Sequence, residues 1–114
     1  MNQELRDEVA ALHAHICSGL ADPNRILLLY ALAERPHNVG DLAAQLQLPQ
    51  PTISRHLKIL RERGMVIAER DGQSIVYMVA DERVIQALNL LRAVLADQLE
   101  SRGTLAHTVR PISS

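Results

Sequence analysis

The sequence predicts a mainly α-helical fold that carries one small β-hairpin. Three observations lead there. The 114 residues are 47% apolar, yet Phe and Trp are absent and Tyr occurs twice. A core built from such a chain is aliphatic and leucine-rich, which suits packed helices better than a sandwich built on aromatics. Apolar residues also recur at spacings of three and four along most of the chain, the period of a helix face. The exception is the stretch 65–79, which is rich in β-branched residues around Asp71-Gly72, a strong two-residue hairpin signal.

Each element can be justified in order. Leu5, Val9, Leu12, Ile16 and Leu20 line one face of a first helix, capped by Asn2, with Glu4, Asp7 and Glu8 at the positive end of its dipole. Asp22-Pro23 starts a second helix, Asp as cap and Pro at the first helical position. Its run Ile26–Ala33 is apolar all round, so this helix should lie in the middle of the fold until Pro36 stops it. Asn38-Val-Gly-Asp41 resembles a capping box and opens a short helix, with Val39, Leu42, Ala43 and Leu46 facing inward. Leu48-Pro-Gln-Pro51 breaks the chain. Gln50 as cap and Pro51 at the first position then open a helix striped by Ile53, Leu57 and Leu60, which Gly64 ends. Two short helices around a tight Pro-bounded turn have the proportions of a helix-turn-helix.

Strands Met65–Arg70 and Gln73–Val79 follow, and a lone hairpin is stable only when it leans on other elements. Asp81 caps a last helix that should run to about Arg102. Val84, Leu88, Leu91, Leu95 and Leu99 form its stripe, and Ala87, Leu90 and Val94 widen it. So wide an apolar arc exceeds what one small domain covers, which predicts a symmetric homodimer that pairs it with the stripe of the first helix. Residues 1–102 thus form one domain, and the Gly-, Thr-, Pro- and Ser-rich stretch 103–114 is expected to be a disordered tail.

Composition excludes several classes of function. One cysteine rules out an intrachain disulfide and a four-cysteine zinc site. The longest unbroken apolar run is far below the roughly 20 residues a membrane span needs. The opening NQELRDE has neither the basic region nor the apolar stretch of a signal peptide, so a soluble cytoplasmic domain with no membrane partner is expected. No Gly-rich phosphate loop, nucleophile elbow or H-E-x-x-H is present. The chain is therefore read as a non-enzyme with no cofactor. A net charge of −1 predicts no partner by itself.

Charge distribution says more. Residues 52–63 hold Arg55, Lys58, Arg61 and Arg63 against Glu62 alone. At 100° per residue Arg55 lies nearly opposite the apolar stripe, with Thr52, Lys58 and Glu62 on the outward half and Ser54 and His56 on its flanks. Small hydroxyl residues near the N-terminus allow close approach to DNA, and an Arg there can fork onto guanine. The Arg70–Ser74 hairpin tip makes a wing able to reach phosphates or the minor groove. Taken alone, the basic helix also fits a solvated charged face, and the hairpin a cover for the core edge.

The stretches CSGLADPNRILLLYAL (17–32), VGDLAAQLQLPQPTISRHLKILRERGMV (39–66) and ERDGQSIVYMV (69–79) resemble the ArsR/SmtB family of bacterial winged helix-turn-helix repressors, over roughly residues 5–100. The resemblance implies homodimers that pair through their first and last helices, with Leu5, Val9, Leu12, Leu88, Leu91, Leu95 and Leu99 in the seam. Such dimers bind inverted-repeat operators in double-stranded DNA, and an inducer releases them. It further implies DNA contacts at Gln50, Thr52, Ser54, Arg55 and His56, with Lys58, Arg70 and Gln73 on phosphates. Pro51 stands where the family often has Ser, which removes an N–H and a hydroxyl from that surface.

The inducer sites of the family are mostly missing. Asn38-Val39-Gly40 stands where arsenic, lead and cadmium sensors carry Cys-x-Cys, and it offers no thiolate. Residues 81–102 hold no His for the zinc, cobalt and nickel type of site, and persulfide sensors need two cysteines. His13 and Cys17, at i and i+4, remain candidates for a mixed metal or redox site, against a plain reading of Cys17 as a packed thiol. His37 and His56 fit surface and DNA roles better than metal. Two rival functions stay open: a winged-helix module that docks protein on its last helix, and a sensor built on Cys17.

Overall fold

The computed structural model describes residues 1–108, with side chains placed through Gly103. The order of elements is that expected: α1 (Gln3–Leu12), α2 (Pro23–Glu34), α3 (Val39–Leu46), α4 (Gln50–Glu62), the hairpin β1 (Val66–Asp71) and β2 (Ser74–Val79), and α5 (Glu82–Thr108). It is a mainly helical, winged helix-turn-helix arrangement.

Asn2 caps α1 by accepting from the Leu5 amide at 2.8 Å. The α-helix then ends at Leu12 instead of running on to Leu20. A π-helical turn, His13–Cys17, and a 3-10 turn, Ser18–Leu20, take its place. Two local causes are visible. Ser18 Oγ bonds back to the Ala14 carbonyl at 2.6 Å, which bends a helix. Gly19 is buried so close to the start of the hairpin that a Cβ there would lie 2.6 Å from Met65 Cε.

Asp22 accepts from the Asn24 amide at 2.8 Å, and Pro23 opens α2. Leu28, Leu29, Ala31 and Leu32 are buried, whereas Leu27 is exposed, so α2 is covered on most but not all of its circumference. Arg35 takes the extended conformation that the following Pro36 imposes. Asn38 caps α3 through the Asp41 amide, and Leu42 and Ala43 face the interior. Gln47 closes α3 at φ 57°, a left-handed conformation unusual for a side chain other than Gly.

The start of α4 differs by one residue from expectation. Pro49 occupies the cap position, its carbonyl accepts from Thr52 and Ile53, and Pro51 sits second. Gly64 ends the helix at φ 72°. The hairpin also slips by one. Asp71 pairs with Ser74, so the two-residue loop is Gly72-Gln73, with positive φ at Gly72 alone, as in a type II′ turn. Two further bonds extend the sheet, from His37 N to Tyr77 O and from Tyr77 N to His37 O, at 3.2 and 2.8 Å. They explain why His37 is buried and not a surface residue.

The core of residues 1–82 forms where α2 meets α3, α4 and β2, and where α4 meets β1. Leu28, Leu29, Leu42, Ile53, Leu57 and Leu60 are wholly buried there. Burying a Leu or Ile side chain contributes about 1.5–3 kcal/mol, so these six supply much of the drive to fold. The described residues from Arg83 onward group separately. Their helix, α5, extends to Thr108, past the expected end near Arg102. Residues 109–114 of the expected tail lie outside the described residues. No helix among the described residues is long and apolar enough to cross a membrane.

Candidate nucleic-acid interface

The surface of interest is built on α4. Its apolar stripe, Ile53, Leu57 and Leu60, is fully buried, which fixes the rotation of the helix about its axis. The opposite face therefore points outward. Gln50, Ser54, Arg55 and Lys58 are exposed along it, and Thr52 is half-buried. No side chain caps the N-terminus of α4, but prolines at 49 and 51 leave it few free amides, since the Thr52 and Ile53 amides bond to the Pro49 carbonyl. Arg70 and Gln73 are exposed on the hairpin, Arg70 opposite Ile75 in the ladder and Gln73 in the loop.

His56 does not belong to this face. It is only 6% exposed, and its Nδ1 lies 3.3 Å from Arg25 Nη1. Arginine only donates, so the contact is a hydrogen bond when Nδ1 carries no proton. The wheel placed His56 on a flank. One residue from Leu57 and three from Ile53, it falls instead within the arc that α2 covers. Its expected DNA contact is therefore corrected to an internal one.

Arg63 is a second correction to the charge count. Its Nη1 donates to the carbonyls of Ala14 and His15, the latter at 2.9 Å, and to Ser18 Oγ at 2.6 Å. Arg55, Lys58 and Arg61 remain as the exposed cations of α4. Neither arginine contact was visible in the sequence, because both join residues more than thirty positions apart.

Asp22, the cap of α2, has its carboxyl held below the ordinary 3.8, chiefly by the hydrogen bond from the Asn24 amide. Partial burial opposes this, and His56 and Arg25 add to it through their charge.

The predicted dimer seam is uncovered in the single chain. Leu5, Val9 and Leu12 are 42–51% exposed, and no residue of α1 is buried. Leu91, Leu95 and Leu99 are more than half exposed. Leu88 differs: at 5% exposed it has little surface left for a partner, and Ile85 is likewise buried. Cys17 and His13 are both exposed on the π-helical turn. Among the described residues no three or more His, Cys, Asp and Glu side chains come together as a metal site.

Comparison with known proteins bears on the whole arrangement. The family model for bacterial regulatory proteins of the arsR family matches residues 22–68, from the cap of α2 into β1. The HTH-type transcriptional regulator NmtR of Mycobacterium tuberculosis is 38% identical over 85 residues, 75% of this chain and 71% of that protein. The crystal structure of the transcriptional repressor BigR from Xylella fastidiosa superposes with a TM-score of 0.69 at 32% identity, covering 82% of this chain and 96% of that one. The solution structure of the homodimeric winged helix-turn-helix domain of Mb0332 from Mycobacterium bovis superposes with a TM-score of 0.76 at 26% identity, over 88% and 93% of the two chains. With the helix-turn-helix, the wing and this degree of identity together, the chain belongs to the ArsR family of bacterial transcriptional regulators.

Proposed function

We propose that the protein is a cytoplasmic, homodimeric repressor that binds an inverted-repeat operator and has no enzymatic activity of its own. The observation that carries this reading is the division of α4 into a wholly buried stripe and an exposed basic face. That is the form a helix needs to enter a major groove with its first turns against base edges. Arg55 is the base-reading residue in this proposal, assisted by Gln50, Thr52 and Ser54. Lys58, Arg70 and Gln73 hold phosphates. The exposed apolar faces of α1 and α5 supply the dimer seam, as the homodimeric relative supports.

Two recognition helices related by a two-fold axis would read half-sites about one helical turn apart. The test is titration of the protein against a duplex selected from random sequence, at two salt concentrations. Arg55→Ala should cost about 1–3 kcal/mol and relax specificity. Lys58→Ala should weaken all DNA alike and reduce the salt slope by about one. An Arg55→Ala variant that binds every sequence as well as wild type would remove α4 from the reading role. Arsenite and cadmium at stoichiometric levels should fail to release the DNA, because one cysteine per chain is too few for a tight site for either ion.

A further inference from the structure

The π-helical turn between α1 and α2 has an unusual attachment. In a continuous α-helix the Ser18 amide would bond to the Ala14 carbonyl. Here it bonds to His13, five residues back. The Ala14 carbonyl is taken instead by Ser18 Oγ and by Arg63, the residue that closes α4. The same guanidinium holds the His15 carbonyl and Ser18 Oγ. A second guanidinium continues the pattern: Arg25 Nε donates to Gly19 O at 2.6 Å and Nη2 to Ser18 O at 3.4 Å, while its Nη1 meets His56 in the middle of α4. Gly19 has no side chain because Met65 and the Arg63 stem pass where its Cβ would be. The carbonyls of residues 14 and 15 are thus fastened to the end of α4 by Arg63, and those of 18 and 19 to Arg25 of α2, which reaches the middle of α4 through His56. Nothing of α1 itself is buried, so this turn is what sets its direction.

We propose that Arg63 is a positioning residue for operator reading, which locks the α1 arm to the recognition helix and thereby fixes the separation of the two recognition helices in the dimer. Arg25, through His56, is the second point of the same lock. The inference rests on the dimeric DNA-binding function proposed above. Arg63 meets all three oxygens through Nη1, and its planar guanidinium fixes the direction of those N–H groups, which an ammonium on a flexible stem does not do. A charge held by backbone carbonyls is also directed inward, away from phosphates.

The test uses the full chain and a set of duplexes with one selected pair of half-sites and a spacer shortened or lengthened by one and two base pairs. Hydrogen exchange of residues 13–20 is followed on the same samples without DNA. Wild type should favour one spacer by about tenfold or more, because half-site spacing is a rigid geometric match. Arg63→Ala should reduce that preference to about threefold or less and speed exchange in 13–20 by about tenfold. Arg63→Lys keeps the charge and separates the two roles. A positioning role predicts lost spacer preference with an unchanged salt slope, whereas a phosphate contact predicts rescue. Ser18→Ala, which removes one acceptor, should fall between, and it decides the matter should Arg63→Ala not fold. Equal loss of affinity on every spacer, or unchanged exchange in 13–20, overturns the proposal. A wild-type protein that shows no spacer preference refutes the dimeric operator reading, while the exchange result still reports on the lock.

Discussion

Two amphipathic helices in the same unit meet opposite fates. α4 buries Ile53, Leu57 and Leu60 completely and turns its polar face to solvent. α1 has a stripe of similar spacing, Leu5, Val9 and Leu12, and buries none of it. Their ends differ in the same sense: Asn2 caps α1, whereas no side chain caps α4. Amphipathicity alone therefore does not say what a helix faces. The stripe of α4 is used up inside the protomer, which leaves its charged side as the functional surface. The stripe of α1 is unsatisfied, which makes its apolar side the functional surface.

The comparison breaks most readily at Leu57 and Leu12. Leu57→Ala should cost about 2–5 kcal/mol, since it leaves a cavity among fully buried neighbours. Leu12→Ala should leave the far-ultraviolet dichroism and the fold of a dilute monomer unchanged, and show itself as weaker self-association by sedimentation. Equal loss of thermal stability in the two variants at every protein concentration would mean that α1 is part of the protomer core after all.

How much of this was legible beforehand follows from the range of each signal. The stripes of α3 and α4, the caps Asn2, Asp22 and Asn38, and the hairpin depend on neighbours within a few residues, and all are present as expected. The one-residue slip of the hairpin turned on whether Gly72 takes the first or the second central position, and either is compatible with a Gly in a tight loop. The π-helical turn, the burial of His37 and His56, and the inward use of Arg63 were not legible. Each depends on a partner far along the chain: Tyr77 for His37, Arg25 for His56, and residues 14–18 for Arg63. A wheel drawn on one helix cannot contain them. The wheel did separate Arg55 and Lys58 from the stripe, because the stripe itself fixes that rotation.

A smaller effect sharpens the contrast at the turn that aims α4. Gln47 holds φ 57° at the end of α3, where a Cβ is unfavourable by about 1–2 kcal/mol. Gln47→Gly removes that strain but frees the unfolded chain, so a net gain of up to about 1 kcal/mol is expected. Denaturant melts would show the midpoint rising with an unchanged slope. The turn precedes α4 and lies outside the apolar stripe of α1, so self-association should not move. A variant less stable than wild type would mean that the Gln47 side chain makes a contact worth more than its strain.

The smallest expected effect lies at the cap of α2, next to the His56–Arg25 contact. The Asp22 carboxyl is held below 3.8 in the folded protein, first by the Asn24 amide and then by the charges of His56 and Arg25, against the opposing effect of partial burial. For a carboxyl whose folded value is lowered, the unfolded chain binds the proton more readily. Its contribution to stability is therefore complete above the unfolded value near 3.8 and declines as pH falls through and below it. Asp22→Asn keeps an oxygen for the Asn24 amide but loses the charge, so it should flatten the stability curve below about pH 4 and leave most of the neutral-pH stability in place. Urea melts from pH 3 to 7 measure this for both proteins. Parallel wild-type and Asp22→Asn curves across the acid range would show that the charge on Asp22 does nothing for this end of α2.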